Sequence, residues 1–298
     1  MGPLSLTRPR LALWIRSRAL RRLLFFRILP LVVILPVLLQ ILLAYVVAKD
    51  PRLLPSPLRR AKNVLIVTAH PDDECLFFSP SILGVLDANP DVVGGLVVLS
   101  TGNNYGLGET RKKELHGSCL ALGINAERCI ALDRMDLQDN PRIWWNEDVI
   151  IGSVKKYVEK WKVDAILTFD SGGISGHINH RAVSAAISNY AATDAKAPPT
   201  YLLSSVHLIR KYTFLGDLPL TSLSFSWRIF QALFSRASEV DESYDDKALI
   251  ANTWSSYLKT RMAFSSHGSQ YSWDRNLYMV LARQVWFNDL RRVPRRST

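Results

Sequence analysis

The stretch Asn63-Val64-Leu65-Ile66-Val67-Thr68-Ala69-His70-Pro71-Asp72-Asp73-Glu74 decides how the chain is read. Its first seven residues form an almost unbroken apolar run, the pattern of a strand buried on both faces. The run passes without a spacer into one histidine and three carboxylates. Sheets whose strands are buried on both faces carry helices on both sides and place their sites at the strand carboxyl ends. The stretch therefore predicts a fold and a location for chemistry together.

The neighbouring segments agree. Phe77–Leu86 reads as a helix and Val92–Ser100 as a second buried strand, ending in the loop Thr101-Gly102-Asn103-Asn104-Tyr105-Gly106. Glu109–Leu122 predicts a helix closed by Gly123, and Arg128–Leu132 a short strand. Glu147–Trp161 is a helix, Val163–Phe169 a third buried strand, Ile178–Tyr190 an alanine-rich helix and Tyr201–Ile209 a further strand. This alternation predicts an α/β fold, a Rossmann-like mostly parallel sheet with helices on both faces, over a domain at 63–298. No internal repeat is visible.

Charge divides the chain of 298 residues. Of 37 Lys+Arg and 26 Asp+Glu, residues 1–62 hold twelve bases and one acid, the whole formal charge of +11. The remainder is neutral, so the basic stripes expected of a nucleic-acid enzyme are missing and nucleic acid is not a predicted partner. The bases bracket an apolar run, Ile28–Ala48, whose 21 residues rise about 30 Å as a helix, enough to cross a bilayer core. The reading is a basic segment at 1–27, a transmembrane anchor at 28–48 and a basic linker at 49–62. A cleaved signal peptide is the rival, but the run is long for one and Val46-Val47-Ala48 is a poor cleavage site. Seven arginines before the span and five bases after it place the domain in the lumen by the positive-inside rule. The absence of an N-x-Ser/Thr sequon and three unpaired-looking cysteines, Cys75, Cys119 and Cys129, point to a reducing compartment instead. The cysteines read as small buried residues.

Two clusters carry chemistry. The acids of His70-Pro71-Asp72-Asp73-Glu74 suit a helix N-terminus, but that explanation does not ask for His70. One imidazole and one carboxylate three residues apart can ligate the same divalent metal, leaving the other carboxylate as a general base. The second cluster, Asp170-Ser171-Gly172-Gly173-Ile174-Ser175-Gly176-His177-Ile178-Asn179-His180, follows the third buried strand. A site of His70, one of Asp72 and Asp73, and one of His177 and His180 leaves a coordination position open for water, the catalytic kind of zinc site.

With these residues the chain resembles the PIG-L/LmbE-like family of zinc-dependent N-acetylglucosamine deacetylases. Ala69–Glu74 and Gly176–His180 match its two histidine motifs. Glu109-Thr110-Arg111-Lys112-Lys113-Glu114-Leu115 is similar to its R-x-x-E-L helix, and His267-Gly268-Ser269-Gln270 to its H-x-S-Q element. Asp139-Asn140-Pro141 is similar to a D-x-P segment of the eukaryotic branch. The resemblance spans residues 63 to 290 in order. It implies Zn2+ bound by His70, Asp73 and His180, with Asp72 as general base and His177 as the donor to the oxyanion or the leaving amine. Mixed His/Asp ligation also accepts Fe2+ or Co2+. Arg111 is the expected anion contact, Glu114 its orienting partner, and His267 and Gln270 further substrate-binding residues. The implied substrate is a lipid-linked sugar, N-acetylglucosaminyl-phosphatidylinositol, deacetylated in the second step of glycosylphosphatidylinositol-anchor synthesis. The implied location is the endoplasmic reticulum membrane, single-pass, with the domain facing the cytoplasm. No protein partner is indicated.

Alternatives are a deacetylase of a soluble N-acetylglucosamine conjugate, which would not need the anchor, and a non-catalytic membrane-tethered glycan- or phosphoinositide-binding module, which would not need both clusters. Tyr212–Phe234 stands apart as an apolar, aromatic-rich segment. It reads either as an insertion covering the core or as a membrane-surface contact.

Overall fold

The computed structural model describes residues 22, 24–237 and 241–296; most of the basic segment expected at 1–27 lies outside the described residues. Seven strands, Asn63–Thr68 (β1), Val93–Val98 (β2), Cys129–Ala131 (β3), Ala165–Phe169 (β4), Thr200–Leu203 (β5), Lys247–Ala251 (β6) and Phe287–Arg292 (β7), form one sheet. Their order is β3-β2-β1-β4-β5-β7-β6. The first five run parallel, and β7 is antiparallel to both β5 and β6. The chain winds outward from β1 to β3 and then crosses back to β4. The crevice between the carboxyl ends of β1 and β4 is therefore the topological switch point where such sheets bind ligands.

Among the described residues, the longer helices in chain order are Leu29–Ile41 (α1), Ser79–Ala88 (α2), Gly108–Leu122 (α3), Glu147–Trp161 (α4), Ile178–Thr193 (α5), Ser226–Phe234 (α6), Trp254–Ser265 (α7) and Trp273–Leu281 (α8). On one side of the sheet α2, α3 and α7 pack together, and α4 pairs with α5 on the other. Helix α4 illustrates the local logic. The Asn146 side chain accepts from the N–H groups of Asp148 and Val149, Glu147 and Asp148 complement the dipole, and Ile150, Val154, Val158 and Trp161 form the buried stripe. Trp161 fits because β2 has no side chain beneath it: a Cβ at Gly95 would lie 2.8 Å from the indole ring.

Helix α1 is flanked by π-type turns, so that Phe25–Val46 makes 22 helical residues containing an 18-residue window of mean hydropathy 2.6, long and apolar enough to cross a membrane. The segment expected to be a linker, 49–62, instead buries Leu53, Leu54 and Leu58, and the Leu53 carbonyl accepts from Leu249 N at the β6 edge. Three other expectations change. The strand predicted over Tyr201–Ile209 stops at Leu203 because Ser205 turns to donate its N–H to Asp170 at 2.6 Å; Leu208–Lys211 is then a helical turn. The antiparallel pair β6–β7 was not foreseen. The cysteines are not all unpaired: Cys119 of α3 and Cys129 of β3 form a disulfide, and only Cys75 is free and buried. This removes the hint of a reducing compartment drawn from them.

Candidate metal centre and catalytic site

The loop after β1 folds around its own carboxylate. Asp73 Oδ2 accepts the backbone N–H groups of Ala69 at 3.0 Å and His70 at 2.8 Å. That leaves Asp73 Oδ1 facing His180 Nε2 at 3.3 Å. His180 lies in the first turn of α5, and its Nδ1 is 3.0 Å from the Gly173 carbonyl. A carbonyl only accepts, so the His180 proton is assigned to Nδ1 and the Nε2 lone pair is free. Gly173 is required there: with φ of 57° it sits where a Cβ would be 2.9 Å from His180 Cβ. Phe169, the last residue of β4, stacks on the His180 ring with centroids 4.3 Å apart.

His70 is fixed in a complementary way. Its Nε2 lies 3.2 Å from Asp139 Oδ1, and its Nδ1 is 3.3 Å from His180 Nε2 and 3.9 Å from Asp73 Oδ2. Assigning the proton to Nε2 turns the Nδ1 lone pair towards the lone pair of His180. Two facing nitrogen lone pairs and a carboxylate oxygen, all buried, form a donor set that calls for a cation between them. The electrostatics show that the pocket favours positive charge beside Asp73. Burial opposes charge on Asp73, but His180 and His70 outweigh it and hold this carboxyl well below the usual range. Burial likewise lowers the His180 pKa, yet Asp73 raises it by more.

His177 caps α5, its Nδ1 accepting from Asn179 N at 3.3 Å. Its proton is thereby assigned to Nε2. The ring is half-buried, with its centroid 4.9 Å from those of both His70 and His180. Burial, then the two neighbouring imidazoles, push its pKa down to about 4, so the ring is a neutral donor at Nε2. The three histidines form one possible metal-holding group, and Glu74, Cys75 and His267 a second, among the described residues.

Asp72 stands beside this centre in a conformation a side chain rarely adopts, φ 113°. Its Oδ2 pairs with Arg275 Nη1 and lies 3.5 Å from Arg111 Nη2. Its N–H donates to Glu74 Oε2 at 3.0 Å, and its carbonyl accepts from Leu76 N at 3.0 Å. Glu74 in turn is fully buried, with Oε1 accepting from Ser118 Oγ at 2.5 Å and meeting His267 Nε2 at 2.7 Å. Burial raises the Glu74 pKa, but His267 and Ser118 lower it further. The His267 pKa is raised overall because Glu74 outweighs burial.

The expected substrate-binding residues occupy supporting positions. Arg111 is buried, donating from Nη1 to the Gly102 carbonyl at 3.1 Å and from Nη2 to the Pro71 carbonyl at 2.6 Å. Glu114 does not orient it; its carboxylate accepts from Ser269 N and Oγ at 2.6 and 2.7 Å. His267 is wholly enclosed beside Glu74, and Gln270 Nε2 donates to Ser269 Oγ at 3.3 Å. Sequence reasoning missed three residues. Glu74 was absorbed into helix-start chemistry. Arg275 looks like any charged residue of an exposed helix. Asp139 was noticed in the D-x-P segment without a role.

The comparisons with known proteins accord with this geometry. The family model described as PIG-L, GlcNAc-PI de-N-acetylase, matches residues 65–191, which hold both histidine clusters. An N-acetylglucosaminyl-phosphatidylinositol de-N-acetylase of Bos taurus is 37% identical over 231 residues, covering 76% of this chain and 82% of the relative. One of Saccharomyces cerevisiae is 31% identical over 244 residues, covering 76% and 80%. Among solved structures, a deacetylase of the teicoplanin biosynthesis pathway superposes with TM-score 0.52 at 14% identity, covering 79% of this chain and 99% of the other, and shares the fold.

If His70 ligates a metal through Nδ1, the Asp139 carboxylate 3.2 Å from its Nε2 steadies the imidazole, and Asp139→Ala is then expected to weaken metal binding by about 10–100-fold. His180→Ala should abolish binding at this centre. Equilibrium dialysis with metal analysis checks both; unchanged affinity in Asp139→Ala contradicts the tautomer assigned to His70.

Proposed function

The chain belongs to the GlcNAc-PI de-N-acetylase (PIG-L) family, and from that premise we propose that it hydrolyses the N-acetyl group of N-acetylglucosaminyl-phosphatidylinositol. The products are glucosaminyl-phosphatidylinositol and acetate, the second step of glycosylphosphatidylinositol-anchor synthesis. The observation that carries the reading is the convergence of His70 Nδ1, the Asp73 carboxylate and His180 Nε2 at the switch point, with the neighbouring residue Asp72 supplying a carboxylate outside the set.

Those three residues would hold a divalent ion, Zn2+ in this reading. When bound, it supplies Lewis acidity that polarises the acetamide carbonyl and acidifies water. The rest is done by the chain. Asp72 takes the proton of the attacking water as its oxygen bonds to the carbonyl carbon. Arg275 and Arg111 keep that carboxylate in place. His177, a neutral donor at Nε2, hydrogen-bonds the oxyanion of the tetrahedral species. As the C–N bond breaks, the proton held by Asp72 passes to the leaving amine, giving acetate and the free amino sugar. In this account Arg111, Glu114 and His267 position the site, and Gln270 lies at its outer edge.

The location we propose is the endoplasmic reticulum membrane, with Phe25–Val46 as a single span and the domain on the cytoplasmic face. The family resemblance supports that side, while the charge flanks and the Cys119–Cys129 disulfide favour the lumen. Alkylation of thiols in denatured, unreduced protein from cells decides between them. A cytoplasmic domain predicts three modifiable thiols, and protection of two places the domain in the lumen.

For the mechanism, Asp72→Asn should retain metal stoichiometry while acetate release falls by about 10²–10⁴-fold. Full turnover in that variant would falsify the assigned base.

A further inference from the structure

Helix α1 does not stand off from the catalytic domain. Gln40 is buried, and its Nε2 donates to the carbonyls of Asn252 at 2.7 Å and Trp286 at 3.1 Å. Tyr45 Oη accepts the N–H of Trp254 at 2.8 Å, and Leu43, Ala44 and Val47 are buried around these contacts. Just beyond, Arg52 pairs with Asp50 and donates to Ser235 Oγ and the Ser235 carbonyl at 2.9 and 2.8 Å, at the end of α6. Helix α1 also packs on the turns Phe214–Asp217 and Leu218–Ser222 that lead into α6. The helix, the chain after it and α6 are one body.

One face of that body is uncovered. Leu220, Leu223, Trp227, Phe230 and Phe234 recur every three or four residues and are between 51% and 74% exposed. Ring centroids of Trp227 and Phe230 are 5.5 Å apart, and those of Phe230 and Phe234 4.9 Å. The opposite face of α6 is tied down, with Arg228 Nη1 donating to the carbonyls of Arg52, Tyr244 and Lys247. A contiguous aromatic stripe of this kind marks an interaction surface. Length identifies the occupant. From Phe25 to the Gln40 clamp the helix rises roughly 22 Å, short of a hydrocarbon core of about 30 Å. Arginines at 21, 22 and 27 limit the apolar run on the other side. The docked turns, and the stripe continuous with them, must then sit at interfacial depth.

We propose that the stripe Leu220–Phe234 lies in the membrane interface beside α1, with Gln40 locking helix to domain, so that the catalytic centre is held at a set height above the bilayer. This rests on reading Phe25–Val46 as a span and on a lipid substrate. The partner is the lipid interface itself, met by Trp and Phe side chains.

The test uses the full chain in phosphatidylcholine vesicles, with Trp227→Cys carrying an environment-sensitive fluorophore. Cys75, Cys119 and Cys129 are all buried in the folded protein, so the label is selective for the introduced thiol. Met135→Cys, exposed near β3 at the opposite edge of the sheet, is the control. The label at 227 is expected to emit blue-shifted light and to be quenched by lipids spin-labelled near the headgroup, while that at 135 is not. Water-like emission at 227 overturns the proposal, and so does a blue shift without lipid quenching, which would reveal a protein on the stripe. Trp227→Ser, Phe230→Ser and Phe234→Ser combined should lower turnover of bilayer-embedded substrate at least about fivefold and leave turnover of a dispersed short-chain substrate unchanged. Equal loss on both substrates contradicts it. If the unaltered protein releases no acetate, the functional reading fails while the quenching result still decides the docking.

Discussion

The arrangement depends on the carboxylate of Asp73. One of its oxygens closes the turn after β1 by accepting two backbone N–H groups, and the other faces the His180 nitrogen at the start of α5. A single side chain thus shapes the loop and joins it to the loop after β4. Hydrogen bonds to a charged acceptor contribute about 1.5–3 kcal/mol each, enough to hold a buried anion here. The switch-point topology supplies the rest, because β1 and β4 are neighbours whose chains leave in different directions.

A second layer holds what the first leaves strained. Asp72 at φ 113° carries a backbone cost of about 1–3 kcal/mol. The Glu74 carboxylate receives its N–H, and two arginines face its side chain. Glu74 is itself a buried charge, compensated by His267 and Ser118 from α7's end and α3. Removing one member of such a buried pair costs about 3–5 kcal/mol, more than the strain it offsets. The network therefore holds Asp72 in place next to the centre, and it explains why the distant H-x-S-Q element packs against this loop although His267 is enclosed.

What the sequence revealed follows from how local each feature is. The parallel strands β1, β2 and β4 are buried on both faces and announce themselves as apolar runs. His70, Asp73, His177 and His180 stand at the ends of two of those runs, so their clustering was visible. The strand β7 was hidden because Phe287–Arg292 mixes charged residues with a buried Asn288 that hydrogen-bonds Ser81 and the Phe77 carbonyl. Arg275 and Asp139 reach the centre from separate elements, and nothing in their own neighbourhoods marks them. Arg111 and Glu114 were singled out chiefly by motif. Their partners, the Gly102 and Pro71 carbonyls and the Ser269 loop, are tertiary facts. The disulfide escaped notice because Cys119 and Cys129 come together only when α3 packs along β3.

X-ray absorption spectroscopy of the zinc-loaded full-length protein tests the central claim most directly, since the two buried clusters differ in one atom type. A centre of His70, Asp73 and His180 predicts a coordination shell of nitrogen and oxygen only, with the scattering signature of two imidazoles. A sulfur neighbour at about 2.3 Å would place the ion with Cys75, Glu74 and His267 and contradict the account.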